Sequence, residues 1–400
     1  MVLEVEEGRP RFSFRVVGRD RGSEARLGCL ATPHGEIETP VFMPVGTAGS
    51  VKALPFDALW ATGTRLILGN TYHLYLRPGH DRVERLGGLH RFQGWDGALL
   101  TDSAGFQVFS LAELNRVTDE GVRFRSHLDG GTHFFTPELS MEIQLALGAD
   151  ICMAFDHCLP HGADPAAVAA AVDRTTRWAQ RCRDTFGGGG RAQRRGWERV
   201  LFGIVQGGTL AAQRRRSAAE LVALDLPGYA IGGLAVGEPV GATRDMTELT
   251  AALLPADRPR YLMGVGFPDD LIESVRRGVD MFDCVLPTRM ARNGTLLTRH
   301  GRLVVRNRAY AEDERPPDPE CACPTCRRHS RAYLRHLFQA REILGPVLAT
   351  LHNVHWYQEL MATLREGLRA DRFAATAARL LADWQGGESA RRADIQRAGR

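Results

Sequence analysis

Three cysteines lie close together in the C-terminal part of the chain, at Cys321, Cys323 and Cys326, and His352 follows them. Three thiolates and an imidazole form a ligand set that suits tetrahedral zinc, and four protein ligands leave no position open for a substrate. We therefore expect one structural Zn²⁺ per subunit here, with the chemistry elsewhere. The single residue between Cys321 and Cys323 is a tighter spacing than most zinc sites have, and the alternative is a surface loop whose cysteines bind nothing.

Two aspartates, Asp102 and Asp283, each follow an apolar run. Such a pair suits glycosidic chemistry, since one carboxylate can attack the anomeric carbon while the other handles a proton. Asp156 and Gln206, which end two further runs, add a carboxylate and an amide that could read the polar edge of a heterocycle. Any one of these residues alone is more simply explained as a helix cap, but four on one face favour a site.

The segment from Ile231 to Glu238 contains three glycines. Glycine lets a ligand approach the backbone and leaves peptide groups accessible, although such a loop is as often only a tight turn. Phe106 and Met263 lie near the ends of other runs and could stack on the faces of a flat base. Packing in the hydrophobic core is the alternative for both.

These residues need a scaffold that brings them together. Eight apolar or glycine-terminated runs recur, and most are continuous, which is typical of strands covered on both faces. The runs are Val41–Thr47, Arg65–Thr71, Ala98–Gly105, Asp150–Asp156, Leu201–Gly207, Tyr229–Ala235, Arg260–Gly266 and Met281–Pro287. Helical patterns between them begin or lie at Thr136-Pro137-Glu138, Pro165–Phe186, Leu210–Leu224, Arg244–Leu254 and Pro268. The alternation predicts an α/β fold, an irregular (β/α)8 TIM barrel with its active site at the C-terminal strand ends; a doubly wound open sheet is the alternative.

The alternation stops after Arg292. We expect residues 12–292 to form the catalytic barrel, with inserted hairpins near 107–135. Residues 293–385 are expected to form an inserted zinc-binding subdomain and C-terminal helices. Gly187–Gly190 predicts a flexible surface loop, and the tail beyond Trp384 is expected to fray.

The composition narrows the class of protein. The chain has 400 residues, 44% of them hydrophobic, and a net charge of +4 that permits a nucleic-acid partner without requiring one. No apolar run is long enough to span a membrane, and the N-terminus lacks the apolar stretch of a secretory signal. The remaining five cysteines show no disulfide spacing, so we expect a cytoplasmic protein. Lys52 is the only lysine.

Several long motifs occur in an order that resembles the bacterial tRNA-guanine transglycosylases, and the resemblance covers about Phe12 to Leu360. The motifs are Thr39–Thr47, Leu68–Leu74, Asp102–Gln107, Gly232–Glu238, Met263–Gly266, Met281–Arg289 and the Cys321–His352-Asn353 signature. The resemblance implies a homodimer that exchanges guanine at the wobble position of tRNAs with GUN anticodons (those for Asp, Asn, His and Tyr). The incoming base would be 7-aminomethyl-7-deazaguanine, in queuosine biosynthesis.

The resemblance also implies roles for individual residues. Asp283 would be the nucleophile on the ribose C1′, Asp102 the general acid and base, and Asn70 the residue that orients Asp102. The base edge would be held by Ser103, Asp156, Gln206, Gly233 and Leu234, with Phe106 and Met263 on its faces and Glu238 behind the Leu234 peptide. Cys158, Val236 and Gly264 complete the substrate-binding set, and the first two fit a pocket that admits the aminomethyl precursor rather than bulky queuine.

RNA contacts are implied at three places in the chain. They are Lys52, the segment Gly264, Val265, Gly266, Phe267, Pro268, Asp269 and Asp270, and the segment Thr288, Arg289, Met290, Ala291 and Arg292. Phe267 stands where relatives often have lysine, Ala104 stands where the family usually has glycine, and some members have tyrosine in place of Phe106. A solvated surface is the alternative for Lys52, Arg289 and Arg292.

Two other functions compete with this one. A metal-dependent hydrolase on the same barrel would need histidine and aspartate ligands at the strand ends, whereas the metal-type residues lie outside the barrel. A non-catalytic binding subunit would be expected to have lost a catalytic aspartate, but Asp102 and Asp283 are both present. Both features favour the transglycosylase.

Overall fold

The computed structural model describes residues 11–107, 115–188 and 197–398. The strands are β1 (Ser13–Arg19), β2 (Arg26–Thr32), β3 (Gly35–Thr39), β4 (Val41–Gly46), β5 (Leu66–Gly69), β6 (Ala98–Thr101), β7 (Asn115–Val117), β8 (Val122–Arg125), β9 (Thr132–Phe135), β10 (Ile151–Met153), β11 (Val200–Val205), β12 (Gly228–Ile231), β13 (Arg260–Leu262), β14 (Met281–Cys284), β15 (Thr295–Thr298) and β16 (Gly301–Val304). The helices are α1 (Phe56–Ala61), α2 (Thr71–Leu76), α3 (His80–Arg85), α4 (Gly88–Gln93), α5 (Pro137–Leu147), α6 (Pro165–Gly187), α7 (Ala211–Val222), α8 (Val240–Leu253), α9 (Pro268–Arg276), α10 (Leu286–Arg292), α11 (Pro324–Arg328), α12 (Arg331–Gln339), α13 (Leu344–Arg369) and α14 (Phe373–Ala398).

Eight parallel strands close into a barrel in the order β4-β5-β6-β10-β11-β12-β13-β14, and β14 pairs with β4. The predicted TIM barrel is confirmed, and the open sheet is wrong. Buried side chains such as Met43, Leu100, Ile204 and Tyr261 form one interior cluster. Because helices cover the outside, both faces of each strand are buried, which explains the continuous apolar runs.

A three-stranded antiparallel sheet, β1-β2-β3, closes the N-terminal end of the barrel. Leu30 and Ile37 belong to the same buried cluster as the barrel interior. The side chains of Arg26 and Asp280 form a fully buried ion pair of 2.5 Å. These strands were not predicted, because β1 alternates between exposed and half-buried residues and has no continuous apolar run.

The segment inserted after β6 contains two antiparallel hairpins. It forms a three-stranded sheet, β7-β8-β9, followed by α5. The predicted cap of this helix is present, since the Thr136 hydroxyl accepts a hydrogen bond of 3.2 Å from the Leu139 amide. Residues 108–114 lie outside the described part of the chain, as does the second half of the predicted loop at Gly187–Gly190.

The C-terminal part packs onto the barrel through α13. Its Gln358 amide donates a 3.0 Å hydrogen bond to the Phe42 carbonyl of β4, and the centre of the Tyr357 ring lies 4.4 Å from that of Phe42, with the two rings tilted by 43°. The final helix, α14, continues to Ala398, well beyond the end expected near Trp384. Within the described ranges, no helix is both long enough and apolar enough to cross a membrane.

Candidate active site and metal centre

The C-terminal ends of seven barrel strands converge on one mouth. Each brings at least one of the predicted residues, because parallel strands in a barrel end at the same face. They are Asn70 after β5, Asp102 after β6, Asp156 after β10, Gln206 after β11, Gly233 after β12, Met263 after β13, and Asp283 in β14. The structure therefore brings together residues separated by more than half of the chain.

Asp102 is a buried carboxylate whose hydrogen bonds come from the β5–α2 junction. The Asn70 amide donates to Oδ2 at 2.5 Å, and the backbone amides of Thr71 and Ala104 donate to Oδ1 at 2.8 and 3.3 Å. Burial raises the pKa of Asp102 to about 6, and the nearby Asp283 charge adds to this rise. A carboxyl with a pKa near neutrality can donate a proton in one step and accept one in another.

Among the described residues, the hydrogen bonds that hold Asp283 reach one of its two oxygen atoms. The Tyr261 hydroxyl donates to Oδ1 at 2.6 Å, and the Gly264 amide donates to the same atom at 2.9 Å. Across the described residues, no hydrogen bond reaches Oδ2, so this oxygen can attack an electrophile. Burial raises the pKa of Asp283, and the bonds from Tyr261 and Gly264 oppose that rise.

A second buried carboxylate, Asp156, links two strand ends. The Ser103 hydroxyl donates to its Oδ1 at 2.8 Å, and the Gln206 amide donates to its Oδ2 at 2.7 Å. Burial raises the pKa of Asp156 to about 6. The three side chains form a fixed row of donors and acceptors, which is what a heterocycle edge requires.

The loop after β12 lies beside this row. Gly233 has a φ of +62°, and a Cβ at this position would lie 2.2 Å from the Gln206 Oε1 atom, so only glycine fits. The Glu238 carboxylate accepts hydrogen bonds from the amides of Ala235 at 2.5 Å and Val236 at 3.0 Å. The Leu234 side chain is buried. Glu238 thus supports the peptide that follows Leu234.

Three further predicted residues follow barrel strands, Phe106 after β6, Met263 after β13 and Cys158 after β10. The Phe106 ring is 52% exposed and does not belong to the core. Met263 is half-buried and packs against the barrel interior, so its alternative role in packing is present in part. Burial raises the pKa of the Cys158 thiol to about 12, which keeps the thiol neutral at physiological pH.

The predicted RNA-contacting residues divide by exposure. Lys52, Arg289, Phe267 and Gly264 are exposed. Four of the others are half-buried and five are buried, so their side chains contribute less to the surface. The half-buried ones are Asp269, Asp270, Met290 and Arg292, and the buried ones are Val265, Gly266, Pro268, Thr288 and Ala291.

The two aspartates of this group are already paired. Arg244 lies 3.3 Å from Asp269 and 2.8 Å from Asp270. The guanidinium of Arg302 lies 5.9 Å from the centre of the Phe267 ring, so a cation lies beside the position where relatives often have lysine. The pairing reduces the repulsion that free carboxylates would exert on a phosphate.

The four predicted metal ligands converge. The Sγ atoms of Cys321, Cys323 and Cys326 lie 3.7, 3.5 and 3.2 Å from the His352 Nδ1 atom, and all four ligand atoms lie within 4.8 Å of one another. The His352 Nε2 atom lies 2.6 Å from the Leu297 carbonyl, which fixes the ring with Nδ1 toward the sulfurs. The donor set and its burial fit a metal ion, so the alternative of cysteines that bind nothing loses its support.

Among the described residues, no group of metal-type ligands lies at the mouth, so the metal-dependent hydrolase is not supported. In the part of the chain that the structure describes, two other groups have metal-type ligands. One is His34, His90 and Asp150 at the opposite end of the barrel, and the other shares Cys321 with the cluster above.

Three residues near the site were not predicted. Tyr261 lies within an apolar strand, Arg214 within a helical pattern, and Tyr357 in the C-terminal helix. The Tyr357 hydroxyl donates a 2.5 Å hydrogen bond to the Gly266 carbonyl, in the loop that carries Met263 and Gly264. Their sequence surroundings match ordinary core or surface positions, so only the folded chain reveals them.

The fold and the residues at the mouth of the barrel together define a (β/α)8 enzyme. Its paired carboxylates, Asp102 and Asp283, suit the transfer of a glycosyl group. The family model described as Queuine tRNA-ribosyltransferase matches residues 20–386. The chain belongs to the queuine tRNA-ribosyltransferase family, and it is accordingly a pentosyltransferase.

Curated relatives support this assignment. The queuine tRNA-ribosyltransferase of Moorella thermoacetica is 57% identical over 369 residues, which cover 92% of this chain and 97% of the relative. That of Desulforamulus reducens is 56% identical over 90% of this chain and 95% of its own length. That of Symbiobacterium thermophilum is 54% identical over 96% and 95%. The resemblance inferred from the motifs is confirmed.

Proposed function

We propose that this enzyme replaces guanine at the wobble position of tRNAs with GUN anticodons by 7-aminomethyl-7-deazaguanine, in queuosine biosynthesis. The substrates would be the tRNAs for Asp, Asn, His and Tyr. The observation that carries the proposal is the Asp283 carboxylate, which is anchored through Oδ1 and whose Oδ2 accepts no hydrogen bond from the residues that the structure describes. Family membership supports the choice of tRNA and a guanine-like base as substrates.

The exchange proceeds by two displacements at the ribose C1′. In the first, Asp283 Oδ2 forms an ester bond to C1′ while the C1′–N9 bond breaks, and protonated Asp102 gives its proton to the departing guanine. In the second, the Asp102 carboxylate takes the proton from the N9 atom of the incoming base, which attacks C1′ and releases Asp283. Two inversions give retention at the sugar, and no oxidant or nucleotide is consumed.

The base is read between two layers. Asp156, Ser103, Gln206 and the peptides of Gly233 and Leu234 contact its edge, and Phe106 and Met263 cover its faces. Cys158 and Val236 limit the space beside the aminomethyl group. Because the base must leave the stack of the anticodon loop to reach this depth, the enzyme extrudes it, at a cost of about a few kcal/mol.

The tRNA backbone is held by the exposed cations around the mouth. Lys52 and Arg289 are exposed, and Arg292 is half-buried. We propose that they contact phosphates and give a salt-dependent affinity that is largely independent of sequence, while the pocket selects the base. We propose a cytoplasmic location, because the proposed substrate is a tRNA.

We propose that the Cys₃His cluster holds one structural Zn²⁺ per subunit. Hydrogen bonds from the Cys321 and Cys326 thiols and from His352 hold the pKa of the Cys323 thiol well below its usual range, which favours the thiolate that a metal binds. Bound zinc would crosslink the loop that carries the three cysteines to His352 of α13. It would take no part in the two reaction steps at C1′. Metal analysis should give about one zinc per chain, and iron or no metal would contradict this assignment.

We propose a homodimer formed through the C-terminal part. Three large side chains of α12, α13 and the turn between them are exposed: Ile343 by 80%, Leu344 by 42% and Tyr333 by 38%. Exposed apolar side chains on neighbouring elements are a feature of interaction surfaces.

The proposed function is tested by incorporation of labelled guanine into a tRNA transcript with a GUN anticodon. We expect incorporation into this transcript and none into a variant with adenine at the wobble position. Asp283→Ala should abolish it, and it should also abolish the covalent enzyme–tRNA band that a non-reactive base analogue traps on a denaturing gel. If the band persists in Asp283→Ala, another residue is the nucleophile.

A further inference from the structure

Arg214 is a fully buried arginine of α7 that lies behind the base-reading loop. Its Nε atom donates to the Gly208 carbonyl at 2.7 Å, and its Nη2 atom donates to the carbonyls of Gly232 and Gly233 at 2.8 and 3.3 Å. One guanidinium therefore joins the loops that follow β11 and β12, which carry Gln206 and Gly233.

No acidic side chain in the described part of the chain forms an ion pair with Arg214. Within the described ranges, no carboxylate oxygen lies within 4.0 Å of its nitrogens. Burial lowers its pKa to about 10, and the charge of Glu238 opposes this shift, so the side chain is cationic at neutral pH. A buried charge satisfied only by carbonyls is costly, and an apolar side chain would fill the same space more cheaply.

The direction of the carbonyls has a consequence for the opposite side of the loop. In a trans peptide the carbonyl of one residue and the amide of the next point in opposite directions. Because Gly232 and Gly233 turn their carbonyls toward Arg214, the amides of Gly233 and Leu234 are turned away from it.

We propose that Arg214 is a positioning residue for base recognition, which fixes the amides of Gly233 and Leu234 as a pair of donors for a carbonyl oxygen on the base. This inference rests on the proposed function, since it assigns which edge of the base the loop after β12 binds. The pair would favour a lactam base such as guanine over a base without that oxygen, such as 2-aminopurine. A rejected base leaves buried donors without an acceptor, which is costly.

The test compares Arg214→Lys with the wild type in guanine exchange. Lysine keeps the charge but cannot bond to three carbonyls in one plane. We expect the KM for guanine to rise roughly ten-fold, equivalent to about 1.4 kcal/mol, while the KM for tRNA changes less than about two-fold. Arg216→Lys is the matched control, because Arg216 lies on the same helix, is partly exposed and pairs with Asp173 on α6. It should leave both KM values unchanged.

A purely structural role would lower kcat and the unfolding temperature and leave the KM for guanine unchanged. That result, or unchanged kinetics, would overturn the inference. If Arg214→Lys does not fold, amide hydrogen exchange on the wild type decides: guanine should protect the amides of Gly233 and Leu234, and 2-aminopurine should not. Equal protection by both bases, or none by guanine, would overturn it. A wild type that incorporates no guanine would instead contradict the proposed function.

Discussion

At the scale of single residues, the site depends on carboxylates that the fold places in different surroundings. Asp102 is buried and has donors on both oxygens, whereas Asp283 has donors on Oδ1. Burial raises the pKa of both, so each binds protons more tightly than an exposed aspartate. The arrangement gives a proton donor and a nucleophile from one residue type.

The raised pKa of Asp102 predicts how stability changes with pH. The folded protein binds this proton with a pKa of about 6, against the ordinary value of 3.8, so the group lowers stability progressively as pH rises through this interval. Asp102→Asn removes the charge. At about pH 8 it should therefore gain up to about 3 kcal/mol over the wild type, with almost no gain near pH 4, while base exchange is lost.

Thermal unfolding of both proteins across this pH range measures the difference. A gain of equal size at both ends of the range would show that packing or hydrogen bonding, and not the buried charge, sets the effect.

Ala104 adopts a left-handed backbone conformation, with a φ of +72°. A side chain in this region costs about 1–2 kcal/mol, and glycine avoids this cost although it loses more chain entropy on folding. We expect Ala104→Gly to stabilise the protein by roughly 0.5–1 kcal/mol without loss of exchange. Ala98→Gly in β6, where φ is ordinary, is the control and should destabilise; the same sign for both would contradict the explanation.

At this scale, the site residues that could be predicted from the sequence are those whose polarity is unusual for their position. Asp102, Asp156 and Asp283 end apolar runs, and a barrel brings such ends together. Tyr261 and Arg214 could not be found in the same way. A tyrosine in a strand and an arginine in an amphipathic helix are ordinary, and only the tertiary contacts give them partners.

At the scale of elements, α13 connects the metal centre to the mouth. His352 belongs to the metal cluster, and Asn353 accepts a hydrogen bond from the Leu297 amide at 2.9 Å and donates one to the Pro287 carbonyl at 2.9 Å. Tyr357, one turn further along, holds Gly266. The same helix therefore orders the zinc-type loop, the start of α10 and the loop that supports Asp283.

Tyr357→Phe tests this connection. It leaves the buried Gly266 carbonyl without its donor, which should cost about 1–3 kcal/mol of stability. The loop that carries Gly264 would loosen, so we expect kcat for exchange to fall several-fold with the metal content unchanged. Tyr310→Phe, in the metal-binding part, is the control, and kinetics that do not differ between the two variants would argue against the connection.

At the scale of the whole molecule, the barrel could be predicted from the sequence, whereas the N-terminal sheet and the full length of the last helix could not. Few folds can bury continuous apolar strands that alternate with helices, and the closed barrel is one of those folds. The sheet β1-β2-β3 lies outside that alternation, and β1 is too exposed to stand out in the sequence. The helical continuation to Ala398 was missed because the residues beyond Trp384 are mostly polar.

The exposed apolar group on α12 and α13 predicts the assembly state. Ile343→Ser should weaken the proposed homodimer, because a side chain buried in an interface loses its apolar contacts. Sedimentation at several protein concentrations should show more monomer than in the wild type. Val17→Ser, at a residue of β1 that is 57% exposed, is the matched control and should not change the distribution. A wild type that is monomeric throughout would refute the dimer.

The buried ion pair at the floor of the barrel joins Arg26 to Asp280, which lie 254 residues apart in the chain. During synthesis Arg26 leaves the ribosome long before Asp280 is made. The N-terminal end of the barrel therefore cannot close until the eighth strand has emerged. Nascent chains that stall before that strand would expose the apolar barrel interior, and they are the species that chaperones are most needed to protect.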